Sequence, residues 1–263
     1  MSGAPFLILK RVWQWQAPSA KLHPMCGRYV NKLGEAQYSL FEINDIRLPK
    51  FPPRPRYNVA PTTKIPVVIS EDAGRRALVE MRWGLRPSWA KPDQKLPPMI
   101  NARSETVATL ASFRRAFAVR RCIVPASGYY EWRAGKVKQP FYFEPRDEQP
   151  IAFAALWEHN VDAGDTVCTI TTTPNAEASA IHDRMPVILA PASWARWLTP
   201  DPLSDDERLE LLRPAPDGFL KLHPVDRAVG KVGNDTPELI TPLSEETPLQ
   251  KKAPSDDAQG SLF

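Results

Sequence analysis

The sequence predicts an α+β domain built on mixed or antiparallel sheets. Proline accounts for 29 of the 263 residues, roughly twice its usual share of about 5%. This much proline disfavours long helices and favours short strands, sheet edges and turns. Short strand patterns recur along residues 26–242, with no internal repeat and no linker that would split them. We therefore expect a single domain over 26–242.

The predicted strands are short apolar or alternating runs that end at turn residues. They cover residues 26–30, 65–70, 77–83, 122–124, 127–132, 141–143, 151–157, 166–172 and 187–189. Short amphipathic or capped segments between them predict helices that lie on the surface. These helices cover residues 35–43, 104–110, 175–181, 193–198 and 205–212.

The two ends of the chain differ from this central range. Residues 1–25 form an extension that is a mis-assigned start, a cleaved pro-piece or a genuine part of the protein. Its apolar run at 6–9 is followed, not preceded, by basic residues, which is the wrong order for a secretory signal. Residues 243–263 are polar without apolar periodicity, so we expect a disordered tail. No stretch approaches the roughly 20 apolar residues of a membrane span.

Cysteine usage and charge limit the classes of function. Cys26, Cys122 and Cys168 are odd in number and lack metal-ligand spacing, which argues against a disulfide framework and against zinc. We expect a cytoplasmic protein with no metal and no cofactor. The net charge of +4 is compatible with a polyanionic partner but does not by itself indicate one.

Cys26 follows Met25, and a Met before a small residue is readily removed. Cys26 would then carry an α-amine with a pKa near 8 beside a thiol with a pKa near 8.5. These two nucleophiles can condense with an aldehyde to give a five-membered thiazolidine. The alternative interpretation is an ordinary internal cysteine.

Two further residues are candidates for proton transfer. Glu131 lies between Tyr130 and Trp132 in a predicted strand, where apolar neighbours would desolvate its carboxylate and raise its pKa. The alternative is a glutamate that faces solvent. His182 precedes Asp183 and could serve as an acid or a base. The alternative is a capping or core histidine.

Three residues are candidates for contacts with a nucleic acid. Asn101 and Arg103 alternate on an extended stretch, so both would project from one face toward a sugar oxygen and a phosphate. The alternative is a turn asparagine and a surface arginine. Trp89, with Arg86 nearby, is typical of a base-stacking platform, whereas Trp83 is better interpreted as a core residue.

Taken together, these segments resemble the SRAP family, the SOS response-associated peptidases also described as abasic-site processing proteins. The matching blocks are residues 25–29, 56–61, 83–85, 100–106, 128–132, 181–186 and 223–225. The resemblance implies a compact fold of twisted, barrel-like sheets with short peripheral helices. It also implies covalent capture of abasic sites in single-stranded DNA through a thiazolidine, with AP-lyase side activity and autoproteolytic exposure of the cysteine.

The resemblance assigns roles to individual residues. Catalytic positions correspond to Cys26, Asn101, Glu131 and His182. Phosphate-binding positions correspond to Arg28, Arg103 and Arg184, and the same groove would be lined by Asn58, Pro61 and Thr171. The partner would be single-stranded DNA that contains abasic sites, and we expect a monomer.

The segment before Cys26 departs from the family, which usually has only a Met there. A mis-assigned start is our preferred explanation for residues 1–25, and self-cleavage between Met25 and Cys26 is the second. Two other functions stay open. One is a peptidase or amidohydrolase that uses Cys26 with His182 and Asn101. The other is a single-strand DNA binding module without covalent chemistry.

Overall fold

The structure is a computed structural model that describes residues 26–71 and 74–243. The extension predicted at 1–25 and residues 244–263 of the predicted tail lie outside the described residues. The strands are β1 Arg28–Asn31, β2 Asp45–Ile46, β3 Arg56–Val59, β4 Lys64–Ser70, β5 Arg76–Trp83, β6 Asn101–Arg103, β7 Arg121–Ala126, β8 Gly128–Arg133, β9 Gln139–Pro145, β10 Ile151–Asn160, β11 Gly164–Thr172, β12 Met185–Pro186 and β13 Leu220–Pro224. The α-helices are α1 Glu35–Ser39, α2 Arg114–Val119, α3 Ala176–Ser179, α4 Trp194–Leu198 and α5 Asp205–Leu211. Short 3-10 helices cover Pro191–Ser193, Arg227–Gly230 and Pro237–Ile240.

The strands form two sheets, and one of them closes on itself. The first sheet has the order β13-β9-β8-β1-β3. The second runs β12-β11-β10-β7-β4-β5-β2, with β6 added beside β11. A parallel pairing of β11 with β5, in which Thr166 lies opposite Arg82, closes the ring β5-β11-β10-β7-β4. The predicted α+β fold with barrel-like sheets is confirmed.

The larger sheet buries both of its faces because its strands are apolar on both sides. On β10, Phe153 belongs to the cluster that packs against the first sheet, where it contacts Tyr29 and Tyr129 edge to face. Leu156, on the opposite face of β10, belongs to the cluster covered by helices. That cluster includes Trp197 of α4, so the segment predicted as a surface helix in fact contributes a fully buried side chain.

The prediction of a helix at 104–110 is wrong. Residues 104–112 form a succession of hydrogen-bonded turns, and the nearest helix, α2, begins only at Arg114. Thr109 donates its hydroxyl hydrogen to the carbonyl oxygen of Thr106. Such side-chain bonds to nearby backbone compete with a regular helix, and β-branched residues weaken it further. None of the described helices is long or apolar enough to cross a membrane.

Gly128 is required where β8 begins. A Cβ atom at this position would lie well inside van der Waals distance of the Phe143 carbonyl oxygen and the Tyr142 ring. Replacement by alanine would therefore overpack the sheet that carries Glu131. We expect Gly128→Ala to lower the free energy of unfolding by about 3 kcal/mol, measured by urea denaturation. The control is Gly135→Ala in the β8–β9 turn, where a Cβ makes only ordinary contacts. Equal stability of the two variants would contradict this account.

Candidate active site

Cys26 lies two residues before the start of β1 and contacts the carboxylate of Glu131. Its backbone nitrogen donates a hydrogen bond of 2.6 Å to Glu131 Oε1. The contact follows from strand pairing, because β1 runs antiparallel to β8 with Arg28 opposite Tyr130. Both partners are buried, with 6% of Cys26 and 3% of Glu131 exposed. Two of the four predicted catalytic residues are therefore in direct contact.

Burial shifts the pKa values of both members of this pair. Desolvation raises the pKa of Glu131, and nearby His182 partly offsets that rise. Desolvation, and then the charge of Glu131, also raise the pKa of the Cys26 thiol well above its ordinary value. A carboxylate with a raised pKa is a better proton acceptor near neutral pH. A thiol with a raised pKa carries little thiolate.

His182 follows α3 and lines the same cleft as Glu131, which is described below. Its Nδ1 lies 2.9 Å from Asp183 Oδ1 and 3.1 Å from the backbone nitrogen of Arg184. The two contacts suit different states of the ring: protonated Nδ1 donates to the carboxylate, whereas unprotonated Nδ1 accepts from the Arg184 N–H. His182 thus has a polar partner in either state, which suits a group that gains and loses a proton.

Asn101 reaches the site through β11. It lies opposite Thr169 in the parallel pairing of β6 with β11, and the Thr169 hydroxyl donates to Asn101 Oδ1 at 2.5 Å. Thr169 in turn lines a small cavity together with Cys26. The side-chain amide of Asn101 is therefore oriented by a residue that borders the cysteine.

A cleft of about 570 Å³ opens beside these residues. Its lining includes Glu131 and His182, so two of the four predicted catalytic residues face it directly. Gly27, next to Cys26, also lines it. The cleft therefore opens beside the buried Cys26–Glu131 pair. Among the described residues, no cluster of three or more His, Cys, Asp or Glu side chains is arranged to hold a metal ion.

The sequence matches the family model of the SOS response associated peptidases (SRAP) over residues 25–232. This match covers most of the chain. The chain belongs to the SRAP family.

Curated relatives support the same assignment. The abasic site processing protein YoqW of Bacillus subtilis is 38% identical over 223 residues, which are 82% of this chain and 99% of the relative. YedK of Escherichia coli, with the same description, is 36% identical over 228 residues, 83% of this chain and 100% of the relative. HMCES of Gallus gallus is 32% identical over 237 residues, 76% of this chain and 70% of the relative.

Solved structures share the fold. A protein of Bacteroides thetaiotaomicron superposes with a TM-score of 0.64 at 29% identity, covering 72% of this chain and 86% of that protein. A protein of Bordetella bronchiseptica gives a TM-score of 0.64 at 25% identity, covering 76% of this chain and all of that protein.

Arg28 borders the cleft beside Glu131, and its guanidinium is hydrogen-bonded to other residues of the chain. Its Nη1 donates to Asn58 Oδ1 at 2.8 Å and to the Val229 carbonyl at 2.9 Å. Asn58 is fully buried, and its amide nitrogen donates to backbone carbonyls between Val229 and Asn234. Asn58 therefore holds Arg28 and the 3-10 segment at the cleft wall, and does not itself present an exposed surface.

Arg184 is fixed more firmly than Arg28. It makes a bidentate ion pair with Glu105 and donates to the Thr171 carbonyl oxygen at 2.6 Å. Its buried Nε has no hydrogen-bond partner among the described residues. The charge of Arg184 acts on Cys26, where it partly offsets the rise in thiol pKa. Arg103, at the end of β6, is exposed.

The remaining predicted groove residues are dispersed. Thr171 is fully buried beside Arg184, and Pro61 is partly exposed after β3. Trp89 is 53% exposed and borders a separate cavity of about 180 Å³. That cavity shares no lining residue with the cleft beside Glu131. Trp89 is therefore placed as an exposed aromatic surface, but not next to Cys26.

Sequence reasoning missed Thr169 and Glu105. Glu105 lies two residues after Arg103 in the block 100–106, so an acid beside a predicted phosphate-binding residue was a usable signal. Thr169 gave no such signal, because its role depends on the pairing of β11 with β6, strands that are far apart in the sequence.

Proposed function

We propose that this protein captures abasic sites in single-stranded DNA by forming a covalent thiazolidine through Cys26. The observation that carries the proposal is the 2.6 Å contact between the Cys26 nitrogen and Glu131 Oε1. If Cys26 is the first residue, this nitrogen is the α-amine, and a buried proton acceptor already contacts it. The names of the relatives, abasic site processing proteins, support the substrate class.

The reaction needs two bonds to the same carbon. The neutral α-amine of Cys26 attacks the C1′ aldehyde, and the carbonyl oxygen leaves as water to give a Schiff base. The thiol sulfur then adds to C1′ while its proton passes to the nitrogen, which closes the thiazolidine. Glu131 takes the proton that the amine releases, which is the role of a general base.

His182 and Asn101 would act on the sugar. An abasic deoxyribose is mostly a closed hemiacetal, so the ring oxygen must gain a proton before the aldehyde forms. His182 lines the cleft and has partners for either state of its ring, so we assign it this acid–base step. Asn101, oriented by Thr169, would hold the amine and the sugar. Arg28, Arg103 and Arg184 would hold the phosphates on either side.

An AP-lyase side activity follows from the same intermediate. If the Schiff base does not close, loss of a proton from C2′ and departure of the 3′ phosphate cut the strand by β-elimination. Cys26→Ala keeps the backbone amine, so it would lose the stable adduct yet retain some strand cutting.

Residues 1–25 must be absent for this chemistry. The family match begins at Met25, which supports a functional chain that starts there and loses its Met. Self-cleavage between Met25 and Cys26 would give the same product and would be a peptidase reaction of the chain on itself.

A cysteine peptidase acting on other proteins has less support. Such enzymes need a thiolate, and their cysteine pKa is lowered by a histidine or another cation. Here burial and Glu131 raise the pKa of the Cys26 thiol. A purely non-covalent binding module would leave the Cys26–Glu131 contact without a role.

The test uses protein expressed from Met25, with Cys26 confirmed as the first residue by intact mass. It is mixed with single-stranded DNA that carries one abasic site, heated, and run on a denaturing gel beside Cys26→Ala. The matched control is Cys168→Ala, a fully buried cysteine of the core. We expect a shifted band from the wild type and the control only. A heat-stable band from Cys26→Ala, or none from the wild type, would refute the proposal.

A further inference from the structure

Glu105 is joined by one side chain to the segment that carries His182, and no step of the proposed reaction uses it. Its carboxylate accepts two hydrogen bonds from the guanidinium of Arg184, from Nη1 to Oε1 at 2.5 Å and from Nη2 to Oε2 at 2.9 Å. The same Nη2 donates to the Thr171 carbonyl oxygen on β11 at 2.6 Å. Arg184 follows His182 by only two residues. The ion pair therefore anchors the chain close to the proposed acid–base group.

The two partners of this ion pair are buried to different extents. Arg184 is 9% exposed, whereas the side chain of Glu105 is 48% exposed. The hydrogen bonds from Arg184 lower the pKa of Glu105, so the carboxylate is ionised at neutral pH. Removing one partner of such a pair leaves the buried charge uncompensated, which is strongly unfavourable. The charge of Glu105 therefore keeps the guanidinium of Arg184 in its buried position.

The position of Arg184 bears directly on the ring of His182. The backbone nitrogen of Arg184 lies 3.1 Å from His182 Nδ1. The other polar group at this ring nitrogen is the carboxylate of Asp183, whose side chain is 86% exposed. A contact with an exposed charged side chain contributes little to holding a ring in place. The buried anchor of residues 182–184 is therefore the side chain of Arg184, which Glu105 secures.

We propose that Glu105 is a positioning residue for His182: by holding Arg184, it places the imidazole where it protonates the ring oxygen of the closed abasic sugar. The inference rests on the proposed function and on the role of His182 within it. Glu105 itself takes no part in the chemistry. Glutamine has nearly the same shape as glutamate but cannot supply the counter-charge, so in Glu105→Gln the guanidinium turns toward water and residues 182–184 shift with it. A shift of about 1 Å in a reacting group can slow a reaction by as much as about 10²-fold.

The experiment compares two aldehydes in the same single-stranded DNA sequence. One is an abasic site, whose sugar ring must open before it reacts. The other is an acyclic aldehyde linker, which has no hydroxyl placed to close a ring and so needs no ring opening. Rates of adduct formation are measured under single-turnover conditions with protein that starts at Met25. We expect Glu105→Gln to be at least about tenfold slower than the wild type on the abasic site, and close to the wild type on the acyclic aldehyde. An unchanged rate on the abasic site, or equal slowing on both substrates, would overturn the proposal.

Two further variants separate positioning from a general structural effect. Glu207→Gln breaks a similar two-bond ion pair, with Arg196, whose members do not line the cleft, and it should react like the wild type on both substrates. Glu105→Gln combined with His182→Gln should be about as slow on the abasic site as His182→Gln alone, because both changes affect the same step. Additive slowing in the double variant would refute an action through His182. Failure of the proposed function would look different: no adduct from the wild type with either aldehyde.

Discussion

A chain in which Cys26 remains internal is expected to form no heat-stable adduct with abasic-site DNA. The nitrogen that contacts Glu131 is then an amide nitrogen, whose lone pair is delocalised into the peptide bond. It cannot attack an aldehyde, so no Schiff base forms. The thiol alone gives only a reversible hemithioacetal, which heating reverses. The adduct should therefore be absent at the detection limit of the gel.

The comparison is between the full chain and protein that starts at Met25. Intact mass, taken before and after incubation with DNA, establishes whether residues 1–25 are retained. Binding to single-stranded DNA that carries a tetrahydrofuran analogue of the abasic site, which has no aldehyde and cannot form an adduct, shows that both forms are folded. An adduct that appears only with removal of residues 1–25 would indicate self-cleavage and agree with the proposal. An adduct whose protein part still contains residues 1–25 would disprove the role of the α-amine.

The local patterns predicted most strands but not how the strands pair. Alternation in 77–83 is visible in the sequence, and β5 does pair with β4 as a hairpin. Closure of the barrel depends on β5 meeting β11, with Arg82 opposite Thr166. Strand patterns specify a face and a length, but not a partner 84 residues away. The barrel was therefore expected from family resemblance alone.

At the candidate site, too, local features could be predicted from the sequence, whereas contacts between distant residues could not. The flanking residues Tyr130 and Trp132 indicated that Glu131 could be buried, and the structure resolves that alternative. Its contact with Cys26 joins residues 105 positions apart and depends on the pairing of β1 with β8. Similarly, the nearness of Glu105 to Arg103 in the sequence indicated an acidic neighbour, but not that this carboxylate forms its ion pair with Arg184. The sequence indicated which side chains could act as nucleophile, acid or base. Which residues contact them is determined by the tertiary structure.

Replacing Glu131 by glutamine is expected to slow adduct formation by at least about 10²-fold at neutral pH. Glutamine has nearly the same shape, and its oxygen can still accept the hydrogen bond from the Cys26 nitrogen. It cannot accept a proton. The amine must then lose its proton to solvent before it can attack. The measurement is the rate of band formation on the denaturing gel under single-turnover conditions.

The pH dependence separates this role from a structural one. In the wild type, an α-ammonium can pass its proton directly to the Glu131 carboxylate, so the rate stays level below the amine pKa near 8. It falls only where Glu131 itself becomes protonated, and burial raises that pKa above the usual glutamate range. In Glu131→Gln, the rate should fall about tenfold per pH unit from about pH 8 downward. Parallel profiles for the two proteins would rule out Glu131 as the proton acceptor.

The stability of Glu131→Gln is the last control. The substitution should slow adduct formation, but it should not destabilise the fold. Because burial raises the pKa of Glu131, folding favours its protonated form, and this stabilisation is lost as the pH rises through the raised pKa. At neutral pH the buried charge therefore costs stability, and glutamine removes that cost. Glu131→Gln should unfold at the same or a higher urea concentration than the wild type. Glu80→Gln on β5, which removes a charge from a strand glutamate paired with Lys64, should leave the rate unchanged. A fall in rate without a fall in stability would locate the defect in proton transfer.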